Sequence, residues 1–331
     1  MKPLTALVIG GTRNIGPPLV QSLLEDGYRV TMLNRGVTKA VIPEGVERWQ
    51  ADRSDEVQLH AMLAGRDFEL VVDTTLYNGK DAAAAARLLH GRVGRYIFLS
   101  TGQVYLVRND LEPPFLETDY DGPVMAKPDA AHPDHEEWEY GAQKRDAEDA
   151  MLHACESSGF PSIALRLPMI NSELDHHDRI YGYWLRLRDG KPIVIPEGAG
   201  LALRHVYGGD VIQAIRRAAR SGVPGRAYNI SQEETFTVDE FLTMLAKTAG
   251  LPLHIKRVPR EKLESAGLLP KCSPFSGRWM SNLDNERSKK ELAMAYTPAA
   301  EYVERLVKWH ASRPLREIPG YEQRPRELEI S

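Results

Sequence analysis

Two side chains four residues apart, in Tyr140-Gly141-Ala142-Gln143-Lys144, carry the sharpest chemistry in this chain of 331 residues. On a helix, positions i and i+4 share a face, so the Tyr140 hydroxyl and the Lys144 ammonium can enter one pocket. A phenol titrates near pH 10, roughly three units above neutrality, so proton exchange at pH 7 needs about 4 kcal/mol of help. The Lys144 cation is one source of it. On a solvated helix face the same pair would do no chemistry, and the surrounding elements decide between the two readings.

Tyr96 to Ser100 reads as a strand that runs into Ser100-Thr101-Gly102-Gln103-Val104-Tyr105, which places Thr101 at a carboxyl strand end, where ligands bind in parallel sheets. The opening stretch, Leu4 to Gly16, is an apolar run that meets Gly10-Gly11-Thr12-Arg13-Asn14-Ile15-Gly16 and then turns helical at Pro17-Pro18-Leu19-Val20. A strand, a glycine turn and a helix start can cradle a pyrophosphate, and Pro17 and Pro18 suit a first helical turn. An ordinary strand-to-helix turn is the other reading of that stretch alone.

Further strands are expected at 28–34, 46–50, 68–73 and 162–167, with helices at 57–63, 80–89 and 139–157 between them. That alternation predicts an α/β, Rossmann-type, doubly wound parallel sheet, because each crossover must return over the sheet. Between Leu106 and Trp138 the periodicity vanishes among five prolines, many acids and two histidines, which predicts a lid or substrate loop. Beyond Pro168 the spacing predicts helices at 180–188, 209–220, 238–249, 284–292 and 298–310, a strand at 227–230, and then a polar tail. The expected division is a mainly dinucleotide-binding domain over 1–168 and a smaller α/β substrate lobe over 169–331, with some segments returning to the first. The crevice between them is the expected ligand site.

Composition narrows the class. Hydrophobic residues make up 42% and charged residues 27%, as in a globular protein, and no apolar run approaches the roughly 18 residues of a membrane span. Lys2 leads directly into the first strand with no apolar export segment, so the expected location is cytoplasmic, with no membrane partner. A net charge of -4 gives no general pull towards nucleic acid, and Arg216, Arg217 and Arg220 read as a solvated helix face. Cys155 and Cys272 lack any redox or zinc spacing. Two clusters, His132/Asp134/His135/Glu136 and His176/His177/Asp178, also lack a recognised ligand pattern, so no metal is expected. No Gly-x-Ser-x-Gly elbow or Walker sequence is present.

Taken together, the turn at Gly10 to Gly16, Thr101-x-x-Val104-Tyr105, the Tyr140/Lys144 pair, Arg204 to Val211, Tyr228-Asn229-Ile230 and Tyr296-Thr297-Pro298 make the chain similar to the extended short-chain dehydrogenase/reductases of the NAD-dependent epimerase/dehydratase family. The resemblance covers nearly the whole length. It implies that Tyr140 is the general acid/base, that Lys144 lowers its pKa while holding nicotinamide ribose hydroxyls, and that Thr101 bonds the reacting oxygen. It further implies cofactor contacts at Gly10, Thr12, Arg13, Asn14, Ile15, Gly16, Asn34, Arg35, Asp52, Arg53, Thr74, Thr75, Leu76, Ser100, Tyr140, Lys144 and Leu167. The implied reaction is hydride exchange between nicotinamide and a secondary alcohol or ketone of a sugar, nucleotide sugar or similar small polar molecule. It proceeds as net reduction or within an epimerisation. The other reading is an NADP-binding regulatory or RNA-associated protein with vestigial catalysis.

Three departures from the family pattern qualify this. Gly102 and Gln103 stand where relatives that eliminate water carry Asp-Glu, which argues against 4,6-dehydration. Met169 replaces an Asn common in nucleotide-sugar enzymes. At the end of the second strand, Asn34-Arg35 replaces the acid that would hold the 2'-hydroxyl of NAD. With Arg13 nearby, that favours the 2'-phosphate of NADP, with NAD as the alternative if Arg13 rests on the pyrophosphate and Arg35 on the adenine. The alanine-rich helix at 80–89 and the Tyr140 helix pack either across a homodimer axis, as in many relatives, or within the chain.

Overall fold

The computed structural model of the chain describes residues 4–198 and 202–330. Its first half alternates as expected: β1 (Thr5–Ile9), α1 (Gly16–Glu25), β2 (Arg29–Asn34), β3 (Glu47–Gln50), α2 (Glu56–Leu63), β4 (Leu70–Asp73), α3 (Gly79–Leu89), β5 (Tyr96–Thr101), α4 (Gln103–Leu106), α5 (His135–Ser158) and β6 (Ser162–Leu167). The second half adds β7 (Ile170–Asn171), α6 (Arg179–Arg188), β8 (Ile193–Pro196), β9 (Val206–Tyr207), α7 (Gly208–Ser221), β10 (Ala227–Asn229), α8 (Val238–Ala249), β11 (Ile255–Val258), α9 (Arg260–Ser265), α10 (Glu286–Leu292), α11 (Ala299–Ala311) and α12 (Arg324–Ile330).

Seven strands form one parallel sheet in the order β10-β6-β5-β4-β1-β2-β3. The chain leaves β1 towards β2 on one side and returns to β4 on the other, so the connections diverge beyond the carboxyl ends of β1 and β4. That divergence opens a crevice. Strand interiors such as Leu7, Val8, Val71 and Val72 are fully buried because helices cover both faces. On one face α3 lies against α5, and Ala82, Ala85 and Ala86 let the two approach closely. Helix α5 starts four residues earlier than its apolar spacing suggests, because Glu136 and Glu137 favour a helix amino terminus on charge alone.

Beneath α5 the buried guanidinium of Arg166 bonds Glu148 at 2.6 Å and Tyr105 Oη at 2.7 Å, while Ser100 donates to the same carboxylate. Residues 106–120 are drawn onto this network: Glu117 accepts from Asn229 N at 2.9 Å, and Phe115 is 4% exposed. A separate core in the second half of the chain, hereafter the lobe, is built on Tyr183, Trp184, Phe241, Phe275 and Tyr302. Two small parallel pairs, β8 with β11 and β7 with β9, were not expected from sequence. Nor was the end of the chain, which is folded rather than a loose polar tail. Glu327 of α12 is fully buried against Arg186 of α6 and bonds Arg324 at 2.9 Å, and Arg324 in turn bonds Asp189 at 2.8 Å. Charges hidden by mutual pairing read as polar surface in a sequence.

Candidate active site

β1 ends in two glycines in the left-handed region, Gly10 at φ +90° and Gly11 at φ +73°. A Cβ on Gly10 would lie 2.3 Å from Thr74 Oγ1, and one on Gly16 would lie 2.3 Å from the Gly11 carbonyl. Only glycine lets the turn close this tightly. Thr74 locks it, accepting from Gly11 N at 3.1 Å and donating to the Ile9 carbonyl at 3.0 Å. Gly16 N donates to Arg13 O at 2.8 Å, and Pro17 and Pro18 have no N–H. The start of α1 can therefore offer its dipole, and the turn from Thr12 to Ile15 is the segment that could donate main-chain N–H groups to a phosphate. Asn14, at φ +51°, accepts from Ser172 Oγ at 2.5 Å and ties the turn to the second half of the chain.

At the end of β2, Asn34 accepts from Gly36 N at 3.0 Å through Oδ1, while its buried Nδ2 has no partner. Arg35 is exposed beside it. A tight glycine cradle and an unpaired buried amide at the end of β2 fit a dinucleotide. Asp52 and Arg53 are engaged within the protein: Asp52 caps Ser54 at 2.9 Å, and Arg53 pairs with Asp73 at 2.9 Å and Asp81 at 3.3 Å. Thr75 N also bonds Asp73, at 2.9 Å.

Thr101, Tyr140 and Leu167 line one cleft. Tyr140 is 36% exposed, yet its hydroxyl sits among protein atoms, and this desolvation, with Tyr77 adding to it, pushes its pKa up to about 12. The Thr101 hydroxyl bonds it and acts in the opposite direction. One turn on, Lys144 is 3% exposed; its Nζ donates to the Leu76 carbonyl at 2.6 Å and the Leu99 carbonyl at 2.8 Å. Burial lowers its pKa to about 8, against the raising effect of Asp73 and Glu148. Nζ stands 6.0 Å from the centre of the Tyr140 ring and 4.8 Å from that of Tyr77. The structure thus brings Thr101, Tyr140 and Lys144 together, and Leu76 enters through its carbonyl. Ser100 faces Glu148 instead.

The cleft holds about 1100 Å³ and is bounded on the lobe side by Met169, Arg179, His205, Arg260 and Trp279. Trp279 Nε1 donates to Asp134 at 3.0 Å, which joins the lobe to the end of the 106–138 loop. Gln103 bonds Glu137, a carboxylate one turn before Tyr140. Gln103 stands in the cleft as its place after Thr101 suggests, whereas the sequence points to neither Glu137 nor Trp279 as a cleft residue, because their common feature is position across the fold. His176 and His177 line the cleft with rings 4.0 Å apart, and burial lowers both pKa values, that of His177 to about 4. Among the described residues, no group of three or more His, Cys, Asp or Glu is placed to hold a metal ion, and no helix is long and apolar enough to cross a membrane. Arg216 and Arg220 are paired with Asp26.

A family model for the NAD dependent epimerase/dehydratase family matches residues 6–231. The chain is 24% identical over 285 residues to 2'-dehydrokanamycin reductase of Streptomyces kanamyceticus, covering 83% of this chain and 75% of that one. It is 26% identical over 264 residues to a chloroplast stem-loop binding protein of 41 kDa from Arabidopsis thaliana, covering 74% and 63%. In fold it is similar to UDP-glucose 4-epimerase of Thermotoga maritima, with a TM-score of 0.74, 19% identity, and 93% and 99% of the two chains covered.

Proposed function

The chain belongs to the NAD dependent epimerase/dehydratase family, and on that premise we propose that it moves hydride between NAD(P) and a secondary alcohol or ketone of a polar, sugar-like substrate. The observation that carries this reading is the pairing of Thr101 and Tyr140 on one cleft wall, with a buried, doubly anchored Lys144 behind the Tyr140 ring. When bound, the nicotinamide supplies or accepts the hydride. Tyr140 gives a proton to the developing alkoxide in reduction and takes it back in oxidation, and Thr101 holds that oxygen. Lys144 places a positive charge beside the phenol, and its third hydrogen remains for a ribose hydroxyl.

Asn34 and the exposed Arg35, at the strand end where an acid would hold the 2'-hydroxyl of NAD, support NADP over NAD, and the Asp52 carboxylate that feels the Arg35 charge weighs against it. Gly102 and Gln103 at the strand end argue against elimination of water, and the Glu137 carboxylate on α5, bonded to Gln103 in the cleft, is the group that weighs for it. The name of the Streptomyces relative supports net reduction of a sugar carbonyl. The chloroplast relative keeps an RNA-associated reading in view, against which stand the complete Thr-Tyr-Lys set and a net charge of -4.

The experiment is to incubate the protein with NADP or NAD and a panel of UDP-glucose, dTDP-glucose, UDP-glucuronic acid and kanamycin, following reduced nicotinamide and product stereochemistry. Tyr140→Phe should lose about 100-fold or more in turnover while still binding cofactor. Near-normal turnover in that variant, or salt-sensitive RNA binding without turnover on any panel member, would overturn the reading.

A further inference from the structure

His205 lies next to β9, just before its first residue, where β9 pairs with β7. The Asn171 amide nitrogen donates to His205 Nδ1 at 3.1 Å and to the Tyr302 hydroxyl at 3.3 Å. That hydroxyl donates to Gln232 Oε1 at 2.8 Å, and Gln232 N returns to the His205 carbonyl at 2.7 Å. Residues from four parts of the chain thus close a ring of hydrogen bonds around one imidazole, and Phe275 packs edge-on against it at 4.4 Å.

With Nδ1 accepting, the ring hydrogen sits on Nε2. The residue is 2% exposed and is among those that line the cleft, and its Nε2, like the neighbouring Asn171 Oδ1, is buried without a partner in the protein. Burial, assisted by the charge of Arg179, takes the pKa down to about 3, so the ring stays neutral across the working range. Proteins leave few buried donors unpaired, and a rigid neutral donor in the wall of a ligand cleft selects for an oxygen acceptor.

We propose that His205 is a positioning residue: its Nε2–H donates to a hydroxyl or carbonyl oxygen of the bound sugar and so sets which carbon is presented to Tyr140. The proposal rests on the sugar-directed reading above. Side-chain nitrogen NMR spectra of the full chain, with the His205 signals identified by their loss in His205→Phe, should show Nε2 protonated and Nδ1 bare. The Nε2 hydrogen should shift when UDP-glucose or kanamycin is added. A ring hydrogen on Nδ1, or a signal that neither sugar moves, overturns the proposal.

For whichever of the two sugars shifts the signal, His205→Phe should weaken binding roughly tenfold. His205→Gln, which keeps an N–H near the Nε2 position, should restore it to within about threefold. Equal losses in the two variants also overturn the proposal. Because these signals report binding without turnover, a chain that holds a sugar at His205 but transfers no hydride defeats the redox reading and leaves this one standing.

Discussion

Replacing Lys144 with methionine removes one buried positive charge while keeping most of the side-chain volume. Its Nζ is 6.0 Å from the centre of the Tyr140 ring. At that separation and an effective dielectric of about 20, a full charge is worth about 3 kcal/mol, or roughly two pKa units on the phenol. Alcohol oxidation needs Tyr140 as its anion, so Lys144→Met should lower kcat/KM for oxidation roughly 100-fold at pH 7. The direction of the pH effect follows from the order of titration. The phenol is pushed up to about 12 and the ammonium down to about 8, so Lys144 loses its charge first as pH rises. The wild-type oxidation rate should therefore climb with pH up to about 8 and flatten above it, as the helping charge disappears. In the methionine variant the climb should start lower and show no break near pH 8. Reduced nicotinamide formation across pH 6 to 10, with an alcohol substrate from the panel, measures both curves. A loss of less than about threefold at pH 7, or a break that survives in Lys144→Met, would refute the electrostatic argument.

Other outcomes follow from the same geometry. Gly16→Ala drives a Cβ to within 2.3 Å of the Gly11 backbone, so dinucleotide affinity by equilibrium dialysis should fall at least about tenfold. Arg35→Ala should weaken NADPH binding by about 1.5–3 kcal/mol and leave NADH unchanged; equal affinities for both in the wild type would end the NADP preference. Glu327→Ala leaves the 1%-exposed Arg186 without its carboxylate and should cost about 3–5 kcal/mol in denaturant unfolding, whereas an exposed-pair control such as Glu304→Ala should leave the unfolding midpoint nearly unchanged.

The elements legible in the sequence are those whose signals are local. Helix α8 carries its own boundaries, a Thr237/Glu240 capping box and Gly250 at φ +65°, and its expected span is the observed one. Strands β1, β4, β5 and β6 are apolar runs bounded by turns. By contrast, β8 and β11 are short and pair across some sixty residues, and nothing in either announces the other. The site divides in the same way. Helical spacing places Tyr140 beside Lys144, and the strand end places Thr101. Whether Arg53 faces a ligand or Asp73 depends on partners twenty residues away, and the isolation of His205 Nε2 depends on Asn171 and Phe275, so neither can be read from adjacent residues.

The pairing of Arg186 with Glu327 also orders events in time. The two are 141 residues apart, and chains fold from the amino terminus as they are made. Six of the seven sheet strands are complete by Leu167, so the nucleotide side of the crevice can assemble early. The lobe, in contrast, keeps an uncompensated guanidinium until α12 has been synthesised. The nascent protein can therefore complete the side of the crevice proposed to hold the dinucleotide well before the facing wall is finished.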